Sequence, residues 1–213
     1  MGNCVNLANI DAAVSCADFD NLAGIVDEII YGYWDDVATW PDLPAGTNEA
    51  ALSLAAAGAW NGDVVMKEGT CAYKLRYTDQ TGVLTMTDQG DVGGESVLYQ
   101  LDIIRSKISD VILGFQNATR GRKMFFIVTD KNGVSYLLGD KLNAALKVAA
   151  DATTTGTTPT DRNAVPLRFT YACPRNLVYK GDKEHILTVV TPQQQQQGQQ
   201  EQNQQGETQQ GGG

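Results

Sequence analysis

The chemistry open to this chain is limited first by its histidine content, because His185 is its only histidine. Any Ser-His-Asp or Cys-His nucleophile would have to be built on that residue. It lies just after Gly181-Asp182-Lys183-Glu184, a turn-like run that reads as an exposed position and not as a packed catalytic one. No G-x-S-x-G elbow, P-loop or G-x-G-x-x-G fingerprint accompanies it. Carboxylates are more abundant: Asp27-Glu28, Asp35-Asp36 and the stretch from Asp88 to Glu95 could be gathered by a fold into a glycosidase-like or metal-dependent site. Neighbouring residues on a loop or strand point apart, however, and these groups read as solvated surface. Asp130 and Asn132 before Gly133 have the flavour of a calcium loop, but the other ligand positions are missing, and a turn accounts for them better. Cys4, Cys16, Cys71 and Cys173 form no C-x-x-C pair, so neither a zinc ribbon nor a redox pair is expected, and they read as reduced, buried thiols. The expectation is a protein with no catalytic, cofactor-binding or metal residues, one that is not an enzyme.

The elements that would position side chains point to a β-rich domain. Apolar residues make up 42% of 213 residues and charged residues 19%, which is ample for one substantial core. Residues 1–192 read as one globular domain with an N-terminal arm. After Thr191-Pro192 the chain turns to Gln, Gly, Glu and Asn, and residues 193–213, with nothing apolar to bury, read as a disordered tail. The start Met1-Gly2-Asn3-Cys4 resembles an acylated terminus, but Asn6 stands where Ser or Thr is required. No secretory leader is evident, and no eighteen-residue apolar run offers a membrane span. The chain reads as made and folded in a cytoplasm.

Within the domain, Leu22 to Tyr33 reads as a strand because β-branched and aromatic residues predominate. The loop from Trp34 to Gly46 follows, its tryptophans serving as packing anchors or interface residues. Asp63 to Met66, Cys71 to Thr78 and Val83 to Thr87 read as short strands, with Cys71, Tyr73, Leu75 and Tyr77 alternating toward a core. Ser96 to Ile104 is a further strand. It feeds a helix from Lys107 to Ala118, capped by Ser106, whose apolar face is Ile108, Val111, Ile112, Phe115 and Ala118. Met124 to Thr129, Asp130-Lys131-Asn132-Gly133 and Val134 to Leu138 form a hairpin in which Asn-Gly supplies positive φ. Leu142 to Ala150 is compatible with a helix, Asp151 to Asp161 with a Thr-rich loop, and Val165 to Tyr171, Leu177 to Lys180 and Ile186 to Val190 with strands. The fold class is therefore mainly β (α+β), a β-sandwich or barrel with one flanking amphipathic helix.

This order of features looks like that of the tail tube proteins of tailed bacteriophages: an early β-segment, a strand feeding one helix, and an Asp-x-Asn-Gly hairpin ending in Tyr136-Leu137-Leu138-Gly139. The stretch from Thr155-Gly156-Thr157 to Asp161-Arg162-Asn163, followed by Val165 to Tyr171, is similar to virion proteins of phages that infect Bacteroidota. The resemblance covers roughly residues 22 to 181. It implies a subunit that forms hexameric rings around a channel for DNA, the rings stacking through loops and terminal arms. Partners would be other copies of the chain and other virion proteins, with DNA as passing cargo, in a virion assembled in a bacterial cytoplasm.

Two features of the residues agree with that picture. A net charge of −9 and a pI near 4.5 argue against gripping phosphates and suit a wall that DNA slides past. Arg120, Arg122 and Lys123, the only dense basic cluster, read as a solvated loop. Trp34, Trp40 and Trp60 are expected to be exposed at subunit contacts, together with the Trp34–Gly46 and Asp151–Asp161 loops. Alternatives are a capsid decoration or head–tail connector protein, a carbohydrate-binding β-sandwich module, and an enzyme holding carboxylates of strongly perturbed pKa in a pocket.

Overall fold

The computed structural model describes residues 5–8, 21–47 and 50–189. Cys4, Cys16, the Gln-rich segment 193–213 and most of the N-terminal arm lie outside these residues. The described chain is mainly β, with strands β1 (Glu28–Tyr33), β2 (Val37–Thr39), β3 (Val65–Met66), β4 (Tyr73–Arg76), β5 (Val83–Gln89), β6 (Ser96–Ser106), β7 (Lys123–Thr129), β8 (Ser135–Leu138), β9 (Ala145–Val148) and β10 (Ala164–Cys173). Two α-helices accompany them, α1 (Leu54–Ala57) and α2 (Asp110–Ala118). None of the helices is long and apolar enough to cross a membrane.

One antiparallel sheet runs in the order β4-β1-β7-β9-β10-β6-β5, with β8 sharing the edge of β7 that β9 occupies further back. Its core is set by period-2 alternation on the two longest strands. Val97, Tyr99, Leu101 and Ile103 of β6 lie directly opposite Cys173, Tyr171, Phe169 and Leu167 of β10, and all eight are buried. This pairing is the cleanest alternation in the molecule, more regular than the β6 segment suggests when read alone. Just past β4, the Thr78 N–H donates to the Ile104 carbonyl at 2.9 Å, so the two ends of the sheet meet at one corner. Ile104 therefore turns its backbone polar groups toward Thr78. Its partner Pro166 faces the other way, past the end of β9, where no strand needs the missing N–H.

Strand β7 is apolar without alternation, and Met124 to Val128 are all buried, as a strand covered on both faces requires. On one face Phe126 packs on Phe169 (4.4 Å between centroids) beneath α2, whose Phe115 meets both Tyr31 and Phe169. On the other, Phe125 meets Trp40 edge-on at 5.8 Å, and Trp40 stacks on Trp34. Gly32, opposite Phe125 in the register, leaves the ring the room it occupies: a Cβ there would lie 2.6 Å from Phe125 Cε1.

Several expectations are corrected. Trp34, Trp40 and Trp60 are not free interface residues. Trp60 is buried, and Trp34 and Trp40 are half-buried packing anchors, with Trp34 Nε1 donating to the Asp140 carbonyl. Leu142 to Ala150 is no helix: Ala145–Val148 is a strand because β7 and β10 leave a gap that it bridges. Ile186 to Val189 is no strand either, and Val190 lies outside the described residues; His185–Leu187 form a 3-10 turn with Ile186 buried. Leu177 to Lys180 makes only isolated bridges through Val178 and Tyr179. The hairpin loop has three residues, Lys131 to Gly133, with positive φ at Gly133 and not at Asn132. This is a turn closed by a bulge instead of the tightest hairpin.

Candidate interaction groove

The helix that flanks the sheet begins one turn later than the sequence suggests. Ser106 is still part of β6, and its Oγ pairs with Thr78 Oγ1 at 2.9 Å, so it cannot cap. Lys107 takes a positive φ of 69° and turns the chain away from the sheet. Asn163 ties that corner, accepting from the Lys107 N–H through its carbonyl and from the Ile108 N–H through Oδ1. Ser109 is the N-cap, its Oγ accepting from the Ile112 N–H.

The face that meets the core is narrower than the spacing suggests. Ile112 is buried and Ile108 and Phe115 pack against the core, but Val111 is 78% exposed and Ala118 is exposed too. Val111, Gly114, Phe115 and Ala118 instead form one wall of an open groove of about 390 Å³. The facing wall is tyrosine. Tyr31 and Tyr73 are register partners across β1 and β4 with ring centroids 5.9 Å apart, and Tyr33 lies two residues along β1. The alternation expected for Cys71, Tyr73, Leu75 and Tyr77 is kept only in its second half: Leu75 packs against the core and Tyr77 is buried, but Cys71 is half-buried, Tyr73 is 53% exposed, and Ala72 of the opposite set is buried. Burial raises the Tyr31 phenol, and interaction with Cys71, then burial, raises that of Tyr73. Both rings stay neutral at physiological pH. Gly114 widens the groove, since a Cβ on it would meet nothing within 4 Å.

Charge is uneven around the groove. The chain leaves the helical wall at Thr119 and returns to the floor at Met124, and the turn between carries Arg120, Arg122 and Lys123, all exposed. None of the three forms an ion pair among the described residues. Lys123 Nζ lies 4.7 Å from the Trp34 ring centroid. Asp35 and Asp36 lie at the same end, since Tyr33 is the register partner of Met124 and Trp34, which precedes Asp35, is the indole that Lys123 covers.

The groups first considered for catalysis are not brought together. His185 Nε2 is 3.0 Å from the Val64 carbonyl and its Nδ1 is 3.7 Å from Asp182. Glu28 is held by Lys74 and Arg76, which lower its carboxyl. Asp88 to Glu95 is the end of β5 and the β5–β6 connection. Asp130 Oδ1 accepts from the Asn132 and Val134 N–H groups, and the Asn132 side chain holds Leu22 at its backbone, so the loop braces the fold. Among the described residues no three His, Cys, Asp or Glu side chains cluster as metal ligands would.

One buried polar cluster was not legible in sequence. Asp140 Oδ1 accepts from the Leu142 and Asn143 N–H groups at 2.7 and 2.6 Å, and Oδ2 accepts from the Tyr171 hydroxyl at 2.8 Å. Burial raises the Tyr171 phenol and the adjacent Cys173 thiol, which keeps the thiol protonated and unreactive. With every partner satisfied, the cluster braces the β8–β9 connection. Its chemistry is structural. The loop from Asp151 to Asp161 is exposed almost throughout and is pinned by Asp161, whose Oδ2 accepts from the Thr157 and Thr158 N–H groups at 2.7 Å each. Compared with known proteins, the chain matches no family model, no curated protein and no solved structure.

Proposed function

We propose that this chain is a structural virion protein, a tail-tube-like subunit that self-assembles into stacked rings around a DNA channel, and that it carries out no catalysis. The observation that carries this reading is the order of elements within one antiparallel sheet. Strand β6 passes through a tied corner into a single flanking helix and then into the β7–β8 hairpin, the order on which the resemblance to tail tube proteins rests. A net charge of −9 suits a lumen that must not retain DNA. The tryptophans lend no support, because they are used for packing. Their place as candidate contact surface is taken by the uncovered apolar groove and the exposed Asp151–Asp161 loop. Purified full-length protein imaged by negative-stain electron microscopy is expected to show rings or tubes. A strictly monomeric mass at high concentration, with neither form visible, refutes the reading. Isolated rings that never stack favour a head–tail connector instead.

A second reading has its own support. Tyr31, Tyr33 and Tyr73 beside a shallow apolar trough are the surface on which a sugar ring stacks, so a carbohydrate-binding module is the alternative. Saturable binding in a glycan screen, abolished by Tyr73→Ala, favours it; ring formation favours the tube.

A further inference from the structure

Strands β4, β5 and β8 end the large sheet, and two of them are met by other parts of the chain. Just before β4 the Ala72 N–H donates to the Ile186 carbonyl at 2.7 Å, and just after it the Thr78 N–H donates to Ile104. At β8 the Tyr179 N–H donates to the Ser135 carbonyl at 2.7 Å. Strand β5 has β6 as its one partner, and no bridge or backbone hydrogen bond among the described residues reaches its outer side. The register shows which groups it leaves open. Ile104 turns its backbone toward Thr78, so alternation makes Asp102, Gln100 and Leu98 the β6 residues that bond β5, through Val83, Thr85 and Thr87. The N–H and C=O of Leu84, Met86 and Asp88 therefore point outward, six backbone groups without a partner among the described residues. The strand has none of the Lys, Pro or bulge that keeps an edge from pairing, and its one charge, Asp88, lies near its end.

We propose that β5 pairs antiparallel with β5 of a second copy about a two-fold axis at Met86, continuing the sheet from one chain into the other. In that register the strand is its own complement. Met86 lies opposite Met86 and Leu84 opposite Asp88, so all six open groups are bonded, and Thr85 lies opposite Thr87 on the outer face. Sliding one step either way is worse. An axis at Thr85 bonds Leu84 to Met86 and leaves Asp88 open. An axis at Thr87 brings the two Asp88 residues to about 8 Å apart, against about 14 Å with the axis at Met86, where salt screens them. Charge also favours another copy as the occupant. Two chains of net charge −9 repel over most of their surfaces, whereas Val83 to Thr87 is an uncharged strip along which they can approach. Met86, half-buried on the core beside Tyr99, gains cover from its symmetry mate. Because the same patch serves both chains, the contact is isologous and closes on a dimer. It thus stands apart from the ring reading and does not rest on it.

The test follows full-length protein by sedimentation and by amide hydrogen exchange. One strand against one strand is a small contact, so wild type is expected to dimerise with a dissociation constant on the order of micromolar. The Leu84, Met86 and Asp88 amides should gain protection as concentration rises, while those of Thr85 and Thr87, already bonded to β6, stay protected throughout. Two variants at exposed positions test the register. T85K/T87K sets like charges opposite each other across the axis, as does T85E/T87E. Each alone is expected to dimerise about tenfold more weakly than wild type, and the two mixed in equal amounts to recover a dimer by setting lysine against glutamate. If T85K/T87K dimerises as tightly as wild type, or the mixture recovers nothing, the pairing is overturned. A wild type that stays monomeric at high concentration also overturns it, and protection of the three amides in that monomer would mean that another segment of the same chain covers the edge. Rings without concentration-dependent protection at these amides leave the ring reading standing and overturn this one. A dimer with this protection but no rings supports the pairing while the ring reading fails.

Discussion

Replacing Gly32 by alanine adds one methyl group at the most crowded point of the sheet. A Cβ at Gly32 would lie 2.6 Å from Phe125 Cε1 and 3.0 Å from Cζ, where relaxed carbon contacts need about 3.5 to 4 Å. The ring has little freedom to yield. Phe125 is fully buried, Trp40 abuts it edge-on at 5.8 Å, and Gly139 sits close enough that its own Cβ would be 3.1 Å from Phe125 Cβ. Gly32 does not have a positive φ, so backbone strain adds nothing, and the loss of unfolded-chain entropy favours alanine by about 0.4–1 kcal/mol. Overpacking costs about 1–3 kcal/mol, and about 2–3 kcal/mol at a contact this short, leaving a net destabilisation of about 1–2.5 kcal/mol and a fall in Tm of roughly 2–10 °C for a chain of this size. Chemical denaturation of G32A, F125L and the double variant measures it. Because leucine removes the offending ring edge, the double variant should be less destabilised than the sum of the singles. A neutral or stabilising G32A, or strict additivity, would refute the claim that the ring is wedged.

Asp140→Ala leaves the Leu142 and Asn143 N–H groups and the Tyr171 hydroxyl without their shared acceptor. It should cost on the order of 3 kcal/mol in urea denaturation, with Tyr171→Phe costing about 1 kcal/mol. Ser109→Ala should lower stability by about 1 kcal/mol and shorten α2 by amide exchange, whereas Ser106→Ala should leave the helix start unchanged. Burial pushes the Tyr77, Tyr99 and Tyr179 phenols up to about 12, above about 10 in the unfolded chain. The unfolded state therefore loses these protons first and binds fewer of them. Stability should be level below pH 10 and fall by up to about 1.4 kcal/mol per tyrosine per pH unit between 10 and 12. Denaturation midpoints at pH 8 and pH 11, with tyrosinate absorbance, check it; an unchanged midpoint at pH 11 contradicts it.

Residue patterns carried the long strands well. The unbroken apolar run of β7 follows from local sequence, as does the place of β6 and β10, whose alternation becomes clear once they are paired, and the Asp130–Gly133 turn lies where local sequence puts it, although with a three-residue loop and a bulge. Three kinds of feature were not legible. The strand β9 exists because β7 and β10 offer it bare edges, and nothing within Leu142 to Ala150 encodes that. The start of α2 depended on whether Ser106 was already used by the sheet, a question decided by Thr78, far away in sequence. The groove was hidden because Val111 and Ala118 share the helical spacing of Ile108, Ile112 and Phe115 yet lie at the rim and not on the core face. Its tyrosines were visible only as members of an apolar stretch. The tryptophans failed as interface markers for a related reason: Trp34 and Trp40 find their partners in Phe125, Lys123 and the Asp140 carbonyl, all distant along the chain.

The stacked Trp34–Trp40 pair has an optical consequence. With Trp60 buried, Trp34 is the indole that carries a cation on its face, and that cation, Lys123, belongs to the basic turn. An event that draws the Lys123 ammonium away, such as the arrival of a carboxylate, changes the field on one identifiable indole. The emission of the unlabelled protein is thus a built-in gauge of occupancy at the turn, silent in a Trp34→Phe variant.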